Sequence, residues 1–169
     1  MRLTKKTKQI RKVAGASKPS KTLIGRSEWC SLPDLGLPAV KARIDTGART
    51  SALHAFDIQI VKKEEKKFVR FKIHPLQHNS DLVRECEAPL IQQRDVISSN
   101  GEREKRCVIK TMFVFSGLSF PAEVTLTSRH KMQFRMLLGR EALKRARFIV
   151  DPSKAFVLGK MSDVSSLYD

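Results

Sequence analysis

From Leu23 onward the apolar residues arrive in short runs, alternate with polar ones and are cut apart by turn residues, the pattern of many short strands instead of long helices. Residues 22–29 predict a first strand, after which Pro33, Asp34 and Gly36 break the chain. Residues 39–44 place Val40, Ala42 and Ile44 on one face and Lys41 and Arg43 on the other, and this strand runs straight into Asp45-Thr46-Gly47-Ala48. Two alternating runs, 56–61 and 68–73, flank the charged link 62–67 and predict a hairpin with one wet face. A second hairpin is predicted with arms 94–98 and 106–115, turning through Asn100-Gly101, the strongest short turn signal. Residues 118–127 predict another strand and 141–147, free of Gly and Pro, the one helix, followed by a strand pair at 148–150 and 155–158. Trp29, Phe113 and Phe115 fall on strands as core residues, because basic and aromatic positions do not interleave there as a base-stacking surface requires.

Asp45-Thr46-Gly47 alone is a weak motif, since turns favour Asp and Gly anyway. It gains weight from the strand before it and from residues 136–143, Met-Leu-Leu-Gly-Arg-Glu-Ala-Leu, about 90 positions later. Together these segments resemble the retropepsin-like aspartic peptidases. Residues 45–54, 99–106 and 126–132 narrow the likeness to a bacterial branch, the RimB-type proteins, often labelled ATP-dependent zinc proteases and associated with ATP-grasp glutamate ligases. The likeness extends over residues 23–160. It implies an all-β fold, a closed or folded barrel of the acid-protease type, with one short helix after Leu137-Leu138-Gly139-Arg140. It also implies that Asp45 is catalytic, that Thr46 bonds across a two-fold axis, that Gly47 allows a close approach there, and that Asn100-Gly101 tips a flap over the cleft.

Two carboxylates held about 3 Å apart cannot both ionise, so they share a proton; one activates water while the other donates a hydrogen bond to the scissile carbonyl. The sequence has one Asp-Thr-Gly, and every other Asp sits in a different context, so the second carboxylate is expected from another copy in a symmetric homodimer. Ala48, Arg49, Asn100, Gly101 and Arg140 are the expected substrate-contacting residues. The two arginines admit two readings: forked donors for a substrate carboxylate, or ion-pair partners for Glu141 or another acid. A cation beside the pair would also hold it ionised and lower its shared pKa, against proton sharing at neutral pH.

The length, 169 residues with 41% hydrophobic content, suits one core. The net charge of +16 divides the chain further, because residues 1–22 hold eight Lys and Arg and no acid among few apolar positions. They are expected to form a disordered basic arm, either a solubilising tail or a polyanion contact; residues 23–160 form the domain and 161–169 a C-terminal tail. No apolar run suits a secretory signal or a membrane span. Three unclustered cysteines suggest neither a disulfide framework nor a CxxC zinc site and fit a reducing cytoplasm. His74 and His78 have i, i+4 spacing, but Pro75 lies between them and no Glu follows the first, while His54 and His130 look isolated; no metal site and no cofactor are expected. A Gly-x-x-x-x-Gly-Lys loop for ATP is absent from the sequence. The expectation is a homodimeric cytoplasmic aspartic peptidase or amide hydrolase acting on a peptide or protein, acidic or glutamate-tailed. The alternatives are a non-catalytic partner of an ATP-grasp glutamate ligase, or a ribosome- or RNA-associated basic protein.

Overall fold

The computed structural model describes residues 20–98 and 100–169. Its strands are β1 (Thr22–Ile24), β2 (Ser27–Leu32), β3 (Leu37–Ile44), β4 (Ser51–His54), β5 (Phe56–Lys63), β6 (Lys66–Ile73), β7 (Arg84–Ile97), β8 (Arg103–Phe115), β9 (Leu118–Thr127), β10 (Met136–Leu138) and β11 (Phe148–Val150), with the helix α1 (Arg140–Ala146). The neighbour order β2-β3-β10-β4-β9-β8 closes on itself where Ser31 of β2 meets Val114 of β8, giving a six-stranded barrel. Closure removes the unpaired edges that an open sheet of these strands would expose. From β8 the sheet continues outward through β7, β6 and β5.

The core follows the alternation read from the sequence. Val40, Ala42 and Ile44 share one face of β3 and Leu37 and Ala39 the other, and all five are buried, with Leu53, Ile109, Phe113, Phe115, Val124, Leu126, Met136 and Leu138 in the same core. Phe113 stacks on Phe120 at 5.7 Å between centroids, and Phe148 meets Phe115 edge-on at 5.4 Å. All three cysteines are buried; desolvation raises the thiol pKa of each, that of Cys86 to about 12, so they behave as apolar filler. In α1, Ala142, Leu143 and Ala146 face the barrel, and the helix stops at Arg147 in the left-handed region.

Three expectations need correction. The predicted first strand is two, because Gly25 passes so close to Lys154 that a Cβ there would lie 2.6 Å from its carbonyl oxygen. β5 has no buried face; it is the outer edge, with Ile58 and Ile60 exposed. β11 pairs in parallel with β1, and residues 155–158 form a turn, not a strand. That turn is held by the fully buried Glu28, whose Oε1 accepts from Gly25 (2.7 Å) and Val157 (2.9 Å) and whose Oε2 accepts from Leu158 (3.2 Å). Residues 161–169, set apart above as a tail, include a short 3-10 turn that docks Tyr168 into the molecule; its hydroxyl bonds the Ala39 carbonyl, and burial raises its pKa to about 12. Residues 1–19 of the expected basic arm lie outside the described residues, and Thr22 already belongs to β1.

Candidate functional site

Two distant segments build the loop after β3. β10 lies parallel to β3, with Leu138 beside Ile44, and antiparallel to β4. Where β3 ends, the Asp45 amide donates to Leu138 O at 3.0 Å; the Arg140 amide donates to Ala48 O at 2.8 Å and the Glu141 amide to Arg49 O at 3.1 Å. Residues 45–49 are thus clamped by 138–141. Gly139 makes the clamp possible, because a Cβ there would sit 2.6 Å from Thr50 C and O, and its amide instead reaches Ser51 Oγ at 3.1 Å.

Inside the loop, Asp45 Oδ1 accepts from the Gly47 amide at 2.9 Å and the Ala48 amide at 3.1 Å, which fixes the carboxylate on its own turn. Oδ2 carries no bond among the described residues. Asp45 is half-buried, while Thr46 and Gly47 are exposed, so the loop faces outward. Arg140 does not pair with Glu141, which instead meets Lys144 at 3.7 Å. Its Nη1 donates to the carbonyls of Thr46 (3.0 Å) and Gly47 (2.9 Å), so the guanidinium braces the loop's backbone. Arg49 is exposed and has no ion pair among the described residues.

A model of the RimB-like family, described as retropepsin-like aspartic endopeptidase RimB, matches residues 23–161. The chain belongs to this family. It is 47% identical over 145 residues to a probable alpha-L-glutamate ligase of Shewanella halifaxensis (strain HAW-EB4), covering 86% of this chain and 31% of that protein. It is also 47% identical over 141 residues to a probable alpha-L-glutamate ligase of Parasynechococcus marenigrum (strain WH8102), covering 83% and 30%. The chain therefore spans about a third of the length of these curated relatives. Among solved structures, Lpg0085 of Legionella pneumophila, a protein of unknown function, superposes with a TM-score of 0.69 at 25% identity, over 82% of this chain and 99% of its own.

In this RimB-like chain, Asn100 and Gly101 sit exposed at the tip of the β7–β8 hairpin, Gly101 at φ 84°. No hydrogen bond joins that tip to the Asp45 loop among the described residues. The hairpin is anchored lower down, where Glu104 pairs with Arg106 at 2.7 Å and accepts from Thr127 Oγ1 at 3.1 Å. A cleft of about 1030 Å³ runs beside the loop, between the hairpin arm at Arg94–Ile97, β9 and α1. Arg49 lines it; Asp45, Asn100, Gly101 and Arg140 do not.

The structure adds groups that the sequence reading left isolated. His54, buried in β4, meets His74 at 3.2 Å through Nε2, and its Nδ1 accepts the Arg129 amide at 2.9 Å. That acceptor role leaves the proton on Nε2, which donates to His74. Burial, reinforced by Arg135, pushes the His54 pKa down to about 4, and burial lowers that of His74 as well. Buried Arg135 donates to the carbonyls of Leu76 (3.3 Å), Arg129 (3.4 Å) and His130 (2.9 Å), setting the loop between β9 and β10. His54 and Arg129 lie within the segments that carry the family likeness, but nothing in one sequence signals that they touch. Among the described residues no group of three or more His, Cys, Asp or Glu could hold a metal ion, and no helix is long and apolar enough to cross a membrane.

Proposed function

We propose that this chain is one subunit of a symmetric aspartic peptidase or amide hydrolase, with Asp45 facing its counterpart across a two-fold axis and an acidic, glutamyl-rich peptide as substrate. The observation that carries this reading is the Asp45 loop: an acid fixed through one oxygen, its other oxygen free, on an outward-facing turn braced by Arg140. Thr46 and Gly47, exposed in the single chain, are the surface a twin loop would cover. In the assembled pair one carboxylate takes a proton from water as the oxygen attacks the carbonyl carbon, and the other gives its proton to the carbonyl oxygen. Collapse of the tetrahedral intermediate breaks the C–N bond, and a proton passes to the leaving nitrogen. The basic surroundings favour an acidic substrate, and the ligase names of the relatives direct attention to glutamyl peptides.

The test is hydrolysis of glutamyl peptides by the purified protein and by Asp45→Asn. Loss of turnover in a variant with unchanged fold and sedimentation supports the mechanism; equal turnover removes it. A second reading, a non-catalytic module that docks on a glutamate ligase, is favoured by the similarity to a third of longer proteins bearing that name. It predicts no turnover by the unmodified protein and normal ligase binding by Asp45→Asn.

A further inference from the structure

The cleft of about 1030 Å³ to one side of the Asp45 loop is lined by five cations and three acids. Two pairs cancel, because Arg94 meets Glu123 at 2.9 Å and Lys144 meets Glu141 at 3.7 Å. Arg49, Lys110 and Arg145 remain, all exposed and without an ion pair among the described residues, against Asp95 as the one acid in the same condition. They come from the segment after Asp45, from β8 and from α1, so it is the fold that turns their charge into one space. A concave surface with an excess of one sign focuses its field and draws in the opposite charge.

The walls favour a polypeptide over a nucleic acid. Among the described residues no aromatic side chain lines the cleft, so bases have nothing to stack on, and the acids left among the cations would repel a continuous row of phosphates. Val96, Ile97 and Pro121 add apolar surface. Successive side chains of a strand point to opposite faces, so a cleft that touches all four of residues 94–97 reaches the edge of β7 as well as one face. β6 pairs with β7 only from Arg84 to Pro89, while β8 pairs with residues 90–97, which leaves the other edge of that stretch without a strand beside it among the described residues. An extended peptide finds backbone groups there to pair with its own and open cations for its side chains. The cleft also leads toward the candidate catalytic acid, since the Glu141 amide, bonded to Arg49 O at 3.1 Å, ties the α1 wall to the Asp45 loop. Arg49 follows Asp45 by four residues, so their Cα atoms lie within about 15 Å of each other, whereas an extended hexapeptide spans about 20 Å.

We propose that this cleft is a docking groove for an extended acidic peptide, which lies along β7 on the outside of the barrel with its carboxylates against Arg49, Lys110 and Arg145. Such docking extends the hydrolase reading and rests on it only for the fate of the peptide at Asp45; binding itself needs no turnover.

Fluorescein-labelled hexaglutamate, hexaglutamine and hexathymidylate are titrated by anisotropy with the full chain carrying Asp45→Asn, so that the peptides survive. Adding Arg49→Gln, Lys110→Gln and Arg145→Gln together should weaken hexaglutamate binding roughly tenfold or more, and change hexaglutamine and hexathymidylate by less than about twofold. Removing three exposed lysines that do not line the cleft, with Lys66→Gln, Lys67→Gln and Lys131→Gln, should change hexaglutamate binding by less than about twofold. An equal loss in the two triple variants, a hexathymidylate loss matching that of hexaglutamate, or no hexaglutamate binding in the background protein overturns the assignment. If the cleft triple does not fold, Lys110→Glu compared with Lys131→Glu decides, and equal affinities refute the groove. Cleft-dependent binding with no turnover by the unmodified protein would remove the hydrolase reading and keep the groove; turnover without cleft-dependent binding would do the reverse.

Discussion

Arg140 and His54 show how much a side chain's role depends on what it touches. Arg140 invites an ion pair in sequence, but its guanidinium instead holds two carbonyls of the Asp45 turn. Arg140→Gln should therefore leave the stability within about 1 kcal/mol, since those carbonyls are solvent-accessible, while on the hydrolase reading it lowers kcat at least tenfold by loosening the loop. Thermal melts and steady-state kinetics on the same samples separate the two effects. His54 is held neutral down to about pH 4, whereas an unfolded imidazole titrates near 6.5. Between those values the unfolded chain binds more protons, so the full stability is present above about pH 6.5 and declines as the pH falls toward 4. The loss is about 2–3 kcal/mol, to which His74 adds in the same direction. The groups facing His54 are His74, Arg129, Arg135 and His130, none of them acidic, so nothing offsets the incoming charge. His54→Gln should flatten the melting temperature across that window; an unchanged slope would place the acid sensitivity elsewhere.

Strands were legible because period-two burial is a local property. The alternation along 39–44, 68–73 and 118–127 and the Asn100-Gly101 turn each correspond to observed elements. The run at 155–158 misleads because its apolar letters suit a strand while two of its backbone amides are satisfied by a carboxylate 129 or 130 residues away. Burial alternation carries no record of such a partner. The edge position of β5 was hidden for a related reason: alternation reports what a strand presents, not whether a second layer covers it. At the candidate site the sequence displayed the acid and the later Leu-Leu-Gly-Arg segment, but not the clamp of backbone bonds between them. Two substitutions probe these joints. Gly139→Ala drives a methyl group into Thr50 backbone and should destabilise by about 2–4 kcal/mol in denaturant titration. Glu28→Gln turns an NH₂ toward an amide donor in a fully buried position and should cost about 2–3 kcal/mol. A Glu28→Gln protein as stable as the parent would show that the turn at 155–158 closes without that carboxylate.

For the molecule as a whole, the hydrolase reading makes activity a property of two chains. Specific activity should fall on dilution in step with the dimer fraction seen by sedimentation velocity, and turnover by a strict monomer would contradict the shared-carboxylate scheme. The barrel is also a long-range object. β1 pairs with β11, β3 with β10 and β2 with β8, so neighbours in space are drawn from opposite ends of the sequence. Folding should accordingly be slow for the chain's size, milliseconds to seconds by stopped-flow fluorescence of Trp29, the lone tryptophan.

The clamp on Asp45 bears on how the chain is born. During translation the acidic residue leaves the ribosome long before Leu138, Gly139 and Arg140 exist, so a growing polypeptide carries the acid without the cradle that aims it. The turn that carries the carboxylate thus acquires its backbone bonds only after residues 138–141 have emerged and docked, so its shape is a late event of folding, not a local one.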